Sequence, residues 1–162
     1  MELKEAAKWS PLMALQKADQ YIEDIHIPSM KINLEEREEL DFSNLMNADS
    51  KQLEVFLSVY GGYKAHLERE LADVEAKKGA FEAAFDEAYA SAIFKLADER
   101  ETAGKKKLTR EEVRGAAFGR YDTLKDLRKR VIEQEAIYTR VEGLLKAYSS
   151  GFQTISRVVA LR

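Results

Sequence analysis

The feature that most constrains this chain is a heptad pattern of mostly apolar residues through residues 50–103. One such position recurs every seven residues from 53 to 88, and a second, offset by four, recurs from 57 to 92. Two apolar lines with this offset form the seam of a left-handed coiled coil. Only Gly61 and Gly62 interrupt the pattern, and each costs a helix interior about 1 kcal/mol relative to alanine. The pattern therefore predicts one long helix from residue 50 to about 103.

A second heptad pattern follows a short break in the chain. The break is GKKKLT, residues 104–109, and Thr109 with Glu112 then forms a capping-box motif that starts a new helix. One seam line of this second arm is apolar throughout, whereas the other also holds polar Arg120 and Gln134. The sequence thus predicts a second long helix that runs from the capping box to the end of the pattern.

The two heptad patterns agree with each other when the chain folds back at Lys106. Residues whose numbers add to 212 then become neighbours, so that Leu67 meets Leu145 and Lys78 faces Gln134. Seam positions of one helix land on seam positions of the other, as antiparallel knobs-into-holes packing requires. The prediction is an all-α protein built on a long antiparallel two-helix coiled-coil hairpin.

One or two short helices are expected before this hairpin. Ser10 and Pro11 suit the N-cap and first position of a helix, which should end near His26 because Pro28 disfavours helix before it. The acidic stretch 35–41 is a candidate for a second short helix. The domain prediction is an N-terminal unit, 1–48, for docking, oligomerisation or partner binding, and a hairpin unit, 49–162, with its turn at 104–109.

Composition argues against several function classes. The chain has no cysteine and two distant histidines, His26 and His66, so neither a thiol nucleophile nor a metal centre is expected. Phosphate-loop, dinucleotide-binding and nucleophile-elbow motifs are missing from the sequence. We therefore expect no enzyme activity and no cofactor. The apolar runs are too short to span a membrane, and Met1 opens no secretory leader, so a cytoplasmic protein is expected.

Charge is unevenly distributed along the chain. Residues 1–103 carry 22 acidic and 12 basic side chains, whereas residues 104–162 carry 7 acidic and 14 basic ones. Such a division predicts either an anionic partner for the second half or attraction between the two halves, and both interpretations remain open here.

After the turn, two clusters of basic residues have aromatic residues between them. Binding of single-stranded nucleic acid favours this combination of cations and rings. Cations release counterions from phosphates, and rings between them stack on bases. Phe118 lies between the two basic clusters; the alternative is that the lysines keep the turn soluble and that the rings are packed. The candidate nucleic-acid-binding residues of this region are Lys105, Lys106, Lys107, Arg110, Arg114, Tyr121, Lys125, Arg128, Lys129 and Arg130.

Small residues occur at one level on both predicted arms. Under the same register, the glycine pair lies beside the Ser-Ser-Gly of the second arm. Small side chains on both helices make a notch that another backbone can approach, either the N-terminal helix or a second protomer; the alternative is a local kink. The candidate oligomer-interface residues are Trp9, Gly61, Gly62, Ser149, Ser150 and Gly151.

Two stretches resemble the phage recombination mediators of the UvsY type. These are EAKKGAFEAAFDEAY, residues 75–89, and LLKAYSSGFQTISR, residues 144–157. The resemblance implies a small helical protein that assembles into a ring, binds single-stranded DNA and loads a RecA-like recombinase onto strands covered by single-strand-binding protein. It also implies a role for Lys77 and Lys78, which match a lysine pair of the family. The family's basic residues that follow this pair are replaced here by Glu82 and Ala84.

The leading functional hypothesis is therefore an oligomeric phage recombination mediator that binds single-stranded DNA. The alternative is a structural or adaptor coiled coil, including a phage inhibitor of a host protein, that acts through protein–protein contacts. The acidic segment 33–49 and the helix after Trp9 would then contact the partner.

Overall fold

Helices make up nearly all of the described chain, so the all-α prediction is confirmed. The structure is a computed structural model that describes residues 11–25, 32–33, 39–40 and 42–162. The elements are α1 (Pro11–Asp24), β1 (Ile32–Asn33), β2 (Glu39–Leu40), a 3₁₀ helix (Phe42–Asn47), α2 (Ser50–Thr102), α3 (Arg110–Arg120) and α4 (Asp122–Ala160).

The N-terminal elements agree with the sequence in one part and differ in another. Helix α1 begins at Pro11 as predicted and ends at Asp24, close to the expected boundary. The prediction of a short helix over 35–41 is wrong at Glu39–Leu40, which pairs antiparallel with Ile32–Asn33. A backbone ladder of this kind requires extended residues, which a helix cannot supply. The rest of that stretch lies outside the described residues.

Capping boxes start both α2 and α3. The Asp49 carboxylate accepts from the Gln52 N–H, and the Gln52 side chain accepts from the Asp49 N–H, each at 2.8 Å. Thr109 and Glu112 form the same reciprocal pair at the start of α3, as the sequence predicted. Between the helices, Gly104 adopts a φ of 63°, a conformation that glycine reaches without a steric penalty. The chain is thus non-helical between Thr102 and Arg110.

The second arm is not one continuous helix, which corrects the prediction. Tyr121 is extended, with φ −113° and ψ 98°, and it separates α3 from α4. The heptad pattern placed Arg120 on the seam, where a guanidinium without partners is costly to bury. Instead Arg120 is exposed and donates to the Glu99 carboxylate of α2. Asp122 then starts α4, where its charge complements the helix dipole.

Helices α2 and α4 lie side by side and run in opposite directions. Moving along α2, the ring of Tyr60 lies 5.4 Å from that of Tyr148, and further along the Arg128 guanidinium lies 5.8 Å from the centre of the Phe85 ring. The Lys78 ammonium lies 5.1 Å from the centre of the Tyr138 ring, one turn beyond the predicted partner Gln134. Helical side chains lean toward the N-terminus of their own helix, which accounts for this offset.

The larger apolar core, which we call the basal cluster, lies in the half of α2 that follows Ser50. Helix α1 packs onto α4 here, and Lys17 pairs with Glu133 at 2.8 Å while Arg140 pairs with Asp19 at 3.1 Å. The Arg162 guanidinium donates to the Met46 carbonyl at 2.6 Å. The buried members of the basal cluster are Ala18, Leu45, Ala48, Leu53, Phe56, Tyr60, Leu67, Val74, Ile137, Val141, Tyr148, Ile155 and Val158.

A much smaller core, which we call the distal cluster, lies beside the loop that joins α2 to α3. Its buried members are Ala92, Leu96, Ala117 and Leu124. Two of the four are alanines, so this region buries little apolar surface per residue. Aromatic rings that are only half-buried cover the cluster, and these rings lead to the candidate site.

Candidate nucleic-acid interface

Three aromatic rings meet where α2, α3 and α4 come together. Phe85 and Tyr89 are one turn apart on α2, and their rings are stacked at 5.8 Å with an interplanar angle of 6°. Phe118 of α3 packs against both rings, at 6.1 Å from Phe85 and 6.2 Å from Tyr89. All three rings are half-buried, so each keeps part of its surface in solvent. Partly exposed rings in this arrangement offer a stacking platform for a base.

Three arginines surround this platform. The guanidinium carbon of Arg114 lies 6.0 Å from the centre of the Phe118 ring, and that of Arg128 lies 5.8 Å from the centre of the Phe85 ring. Arg110 stands one turn before Arg114 on α3. Together these side chains enclose a cleft of about 410 Å³, which we call the arginine–aromatic cleft. It is lined by Phe85, Tyr89, Arg110, Glu111, Arg114, Phe118 and Arg128.

The cleft carries an excess of positive charge. Glu111 is the one carboxylate among its seven lining residues. Within the described part of the chain, Arg110, Arg114 and Arg128 make no ion pair with a carboxylate, and all three are exposed. Exposed cations with no internal partner remain available to an anionic ligand.

Nearby carboxylates are already engaged by other groups. Hydrogen bonds from the backbone N–H and the hydroxyl of Thr109 lower the pKa of Glu112. A hydrogen bond from the Lys125 ammonium, at 2.8 Å, likewise lowers the pKa of Asp122. These acids are therefore ionised at neutral pH, yet their charges are directed to the helix cap and to a neighbouring lysine rather than to the cleft.

Three of the predicted nucleic-acid-binding residues lie together in the cleft, and the others lie elsewhere. Arg110, Arg114 and Arg128 line the cleft. Lys105, Lys106 and Lys107 are exposed in the loop before α3. Tyr121 is the half-buried break between helices, with the Arg120 guanidinium carbon 5.7 Å from its ring centre.

Most of the remaining predicted cations have partners on the helices. Lys125 pairs with Asp122 at 2.8 Å, and Lys129 pairs with Asp126 at 3.4 Å. Arg130 lies 5.6 Å from the centre of the Phe81 ring. Lys78 is half-buried and lies 3.9 Å from a Glu82 carboxylate oxygen, whereas Lys77 is exposed. These last two lysines lie two to three turns before the aromatic platform on α2, so the cleft does not include them.

Sequence reasoning missed the contribution of α2 to this site. By the predicted register, in which partner numbers add to 212, Phe85 is a seam residue facing Leu127, and the heptad pattern assigns Tyr89 no role. The signal was available, because Phe85 and Tyr89 are spaced by four and share one face of the helix. The predicted register also placed Phe85 next to Arg128. Phe118 lies in the last turn of α3, just before the break at Tyr121, which the pattern did not reveal.

The predicted oligomer-interface residues divide into packed and open positions. A Cβ placed on Gly61 would lie 3.3 Å from the Phe152 ring, so this glycine makes room for an aromatic side chain of α4. A Cβ on Gly62 would meet nothing within 4 Å. Gly151 is buried, Ser149 is half-buried and Ser150 is exposed. Trp9 lies outside the described residues.

The described residues offer neither a metal site nor a membrane-spanning helix. No group of three or more His, Cys, Asp or Glu side chains in this part of the chain could hold a metal ion. None of its helices is both long enough and apolar enough to cross a membrane.

Comparisons with protein-family models, with curated proteins and with solved structures found no match for this chain.

Proposed function

We propose that this protein is an oligomeric phage recombination mediator that binds single-stranded DNA and assists the loading of a RecA-like recombinase onto strands covered by single-strand-binding protein. The observation that supports this proposal best is the arginine–aromatic cleft. It combines three partly exposed rings with three arginines that have no carboxylate partner in the described chain. Duplex DNA hides its bases within the stack, whereas a single strand exposes both the bases and the phosphates that such a cleft contacts.

Two kinds of side chain in the cleft contribute to binding. A base stacks beside the rings of Tyr89 and Phe118, which contributes about 1–3 kcal/mol per base and depends little on sequence. The guanidinium groups of Arg110, Arg114 and Arg128 contact the phosphates on either side. Three phosphate contacts imply that log K falls by about 2 for each tenfold rise in salt, at about 0.7 per contact on single strands.

Such binding is modest for one cleft, so an oligomer strengthens it. Several clefts on one strand convert later contacts into intramolecular events and raise the overall affinity by about 10²–10⁴. The loop cations Lys105, Lys106 and Lys107 extend the positive surface beyond the cleft. The likeness of residues 75–89 and 144–157 to the mediators suggests the recombinase as the protein partner.

The scaffold proposed for this function is an antiparallel coiled-coil hairpin of α2 against α3 and α4. Contacts such as Tyr60 with Tyr148 and Lys78 with Tyr138 support it, since the partner numbers fall along α4 as they rise along α2. Disulfide cross-linking of Leu67→Cys with Leu145→Cys tests the predicted register, and no cross-link would contradict it.

The experiment for DNA binding compares matched substitutions in a titration with fluorescent oligo-dT. We expect binding at about 50 mM salt that weakens steeply as salt rises. Arg114→Gln should reduce the salt slope by about 0.7, whereas Arg157→Gln, which removes the same charge from an exposed site in the last turns of α4, should not.

The aromatic contribution is tested by substitutions that keep charge constant. Phe118→Leu should weaken binding by about 1–3 kcal/mol with an unchanged salt slope. Phe152→Leu, in the basal region, is the matched control and should have no effect on binding. Absence of any oligo-dT binding at about 50 mM salt would contradict the proposal.

The adaptor function is favoured by a different observation. Leu12 and Leu15 of α1 are 69% and 46% exposed although the helix packs on α4 through its other face. Exposed apolar side chains on a docked helix suit a protein partner. If Leu12→Lys with Leu15→Lys abolishes capture of a partner from nuclease-treated host lysate while oligo-dT binding is absent in the wild type, the adaptor function is favoured.

A further inference from the structure

A second cleft lies at the loop that joins α2 to α3. It has a volume of about 450 Å³ and an apolar floor that includes Leu96, Leu108 and Val113. Three cations, Arg100, Lys105 and Lys107, and one carboxylate, Glu101, also line it. Lys105 and Lys107 stand at its rim, both exposed and without an ion pair in the described chain. Phe94, which is 73% exposed, lies one turn before the lining residue Ala97 on α2. An apolar floor with a cationic rim fits an acidic segment that carries apolar anchors.

The chain itself contains a segment of this chemistry. Residues 34–41 read LEEREELD, with five acidic side chains, one arginine and leucines at both 34 and 40. Ile32–Asn33 pairs with Glu39–Leu40 through backbone hydrogen bonds. Three of these glutamates lie between the two strands in the sequence. Its charge and its leucines therefore match the rim and the floor of the cleft.

This segment cannot reach the cleft of its own chain. It is attached to Phe42, whose 3₁₀ helix precedes the start of α2, whereas the cleft is at the other end of that helix. A helix of 53 residues is about 80 Å long. Eight extended residues span no more than about 28 Å. Contact between the acidic segment and the cleft therefore requires a second copy of the protein.

We propose that the acidic segment, residues 34–41, of one copy docks into the loop cleft of the next copy. Such a head-to-tail contact uses different surfaces on the two partners, so it generates a closed ring or an open filament rather than a two-fold dimer. This contact is distinct from the interface predicted at the small residues around Gly61 and Gly151. At that predicted interface, Gly61 is already covered by Phe152 of its own chain. The contact is electrostatic at its rim and weakens with salt.

The test is charge reversal followed by mixing, with mass in solution as the readout. One variant carries Lys105→Glu and Lys107→Glu, and the other carries Glu35→Lys, Glu36→Lys and Glu38→Lys. DNA-free full-length protein is examined by sedimentation velocity at about 50 mM salt, and helical circular dichroism verifies that each variant is folded. Lys146→Glu with Arg157→Glu is the matched control, because it reverses two exposed charges of α4 away from both surfaces.

We expect the wild type and the control to form higher-mass species, and each reversed variant alone to associate at least about tenfold more weakly. An equimolar mixture of the two reversed variants should regain association, since each then meets a surface of opposite charge. A wild type that stays monomeric at high concentration would overturn the proposal, as would reversed variants that keep the wild-type mass or a mixture that stays dissociated. None of these outcomes depends on DNA binding.

Discussion

The basal and distal regions of α2 belong to one continuous helix but differ in how they are packed. The basal cluster holds thirteen buried residues from α1, the 3₁₀ helix and its surroundings, α2 and α4, whereas the distal cluster holds four. In the distal region the large aromatic side chains stay half-buried and lie beside arginines. In the basal region, by contrast, α1 packs onto α4 and adds to the core. Buried apolar area determines stability, so the basal region holds the fold together.

The difference shows how a simple helical scaffold separates stability from binding. Regions with few buried contacts open locally at low free-energy cost, and binding surfaces are commonly drawn from them. The distal region combines the small core, the break at Tyr121 and the arginine–aromatic cleft. The two regions should therefore differ in their contribution to stability and in their response to substitution.

The largest expected effect is a core truncation in the basal region. Leu67 is fully buried, so Leu67→Ala should lower the free energy of unfolding by about 3–4 kcal/mol through lost transfer energy and a residual cavity. Leu96→Ala, in the distal cluster, should cost about 2 kcal/mol or less because its small, half-open surroundings collapse more easily. Urea unfolding followed by circular dichroism measures both. Equal losses would remove the distinction between the regions.

Alkaline pH should destabilise the basal region next most strongly. Burial raises the pKa of Tyr148 to about 12, and burial with a hydrogen bond to Glu70 raises that of Tyr21 to about 12. A folded-state pKa above the ordinary value of 10 means that the fold retains the proton, so stability is complete below pH 10 and falls as pH rises from 10 toward 12.

This loss is measured as the thermal midpoint between pH 8 and 11.5. Tyr148→Phe should flatten the alkaline fall, whatever its effect at neutral pH, because it removes one of the titrating groups. A Tyr148→Phe profile with the same alkaline slope as the wild type would show that this phenol does not contribute.

Removal of either helix cap should lower stability moderately, but the loss should be global for one cap and local for the other. Asp49→Ala and Thr109→Ala each remove a side chain that accepts from a backbone N–H, a change that costs about 1 kcal/mol. We expect Asp49→Ala to lower global stability, since α2 carries the basal cluster. Thr109→Ala should instead loosen residues 110–114 and leave the global midpoint nearly unchanged. Hydrogen exchange distinguishes the two, and a global loss in Thr109→Ala would contradict the comparison.

The smallest effects are expected at the glycine pair. Gly62→Ala should stabilise the protein by about 0.5–1 kcal/mol, because the new methyl group meets open space and helix propensity improves. Gly61→Ala should gain less, because its Cβ would lie 3.3 Å from the Phe152 ring. Thermal unfolding of the two variants measures the difference. An equal gain at both positions would show that the Phe152 contact imposes no constraint.

Sequence reasoning predicted the elements whose signals are local. The start and end of α2, the capping box of Thr109 with Glu112 and the loop with Gly104 depend on a few adjacent residues, and these were predicted. The capping box of Asp49 with Gln52 was not. The proximity of Phe85 to Arg128 followed from the two heptad phases together with a fold-back at Lys106. Long, regular apolar periodicity is the signal that specifies such pairing most strongly.

The missed features depend on contacts between distant parts of the chain. The break at Tyr121 lies next to Arg120, which donates to Glu99 across the helix pair, and this contact has no local signal in the sequence. The level at which α1 docks depends on its pairing with Glu133 and Arg140 rather than on its own pattern. The cleft is assembled from three helices, so only the cations among its residues were visible in the sequence.

Hydrogen exchange with and without single-stranded DNA tests the central claim most directly, because it examines both regions in one measurement. Without DNA, the distal residues 81–92 and 110–130 should exchange faster than the basal residues 53–74 and 137–158. Addition of oligo-dT at low salt should protect the distal residues that form the arginine–aromatic cleft and leave the basal residues unchanged. Protection confined to the basal region, or no protection anywhere at saturating DNA, would contradict the account.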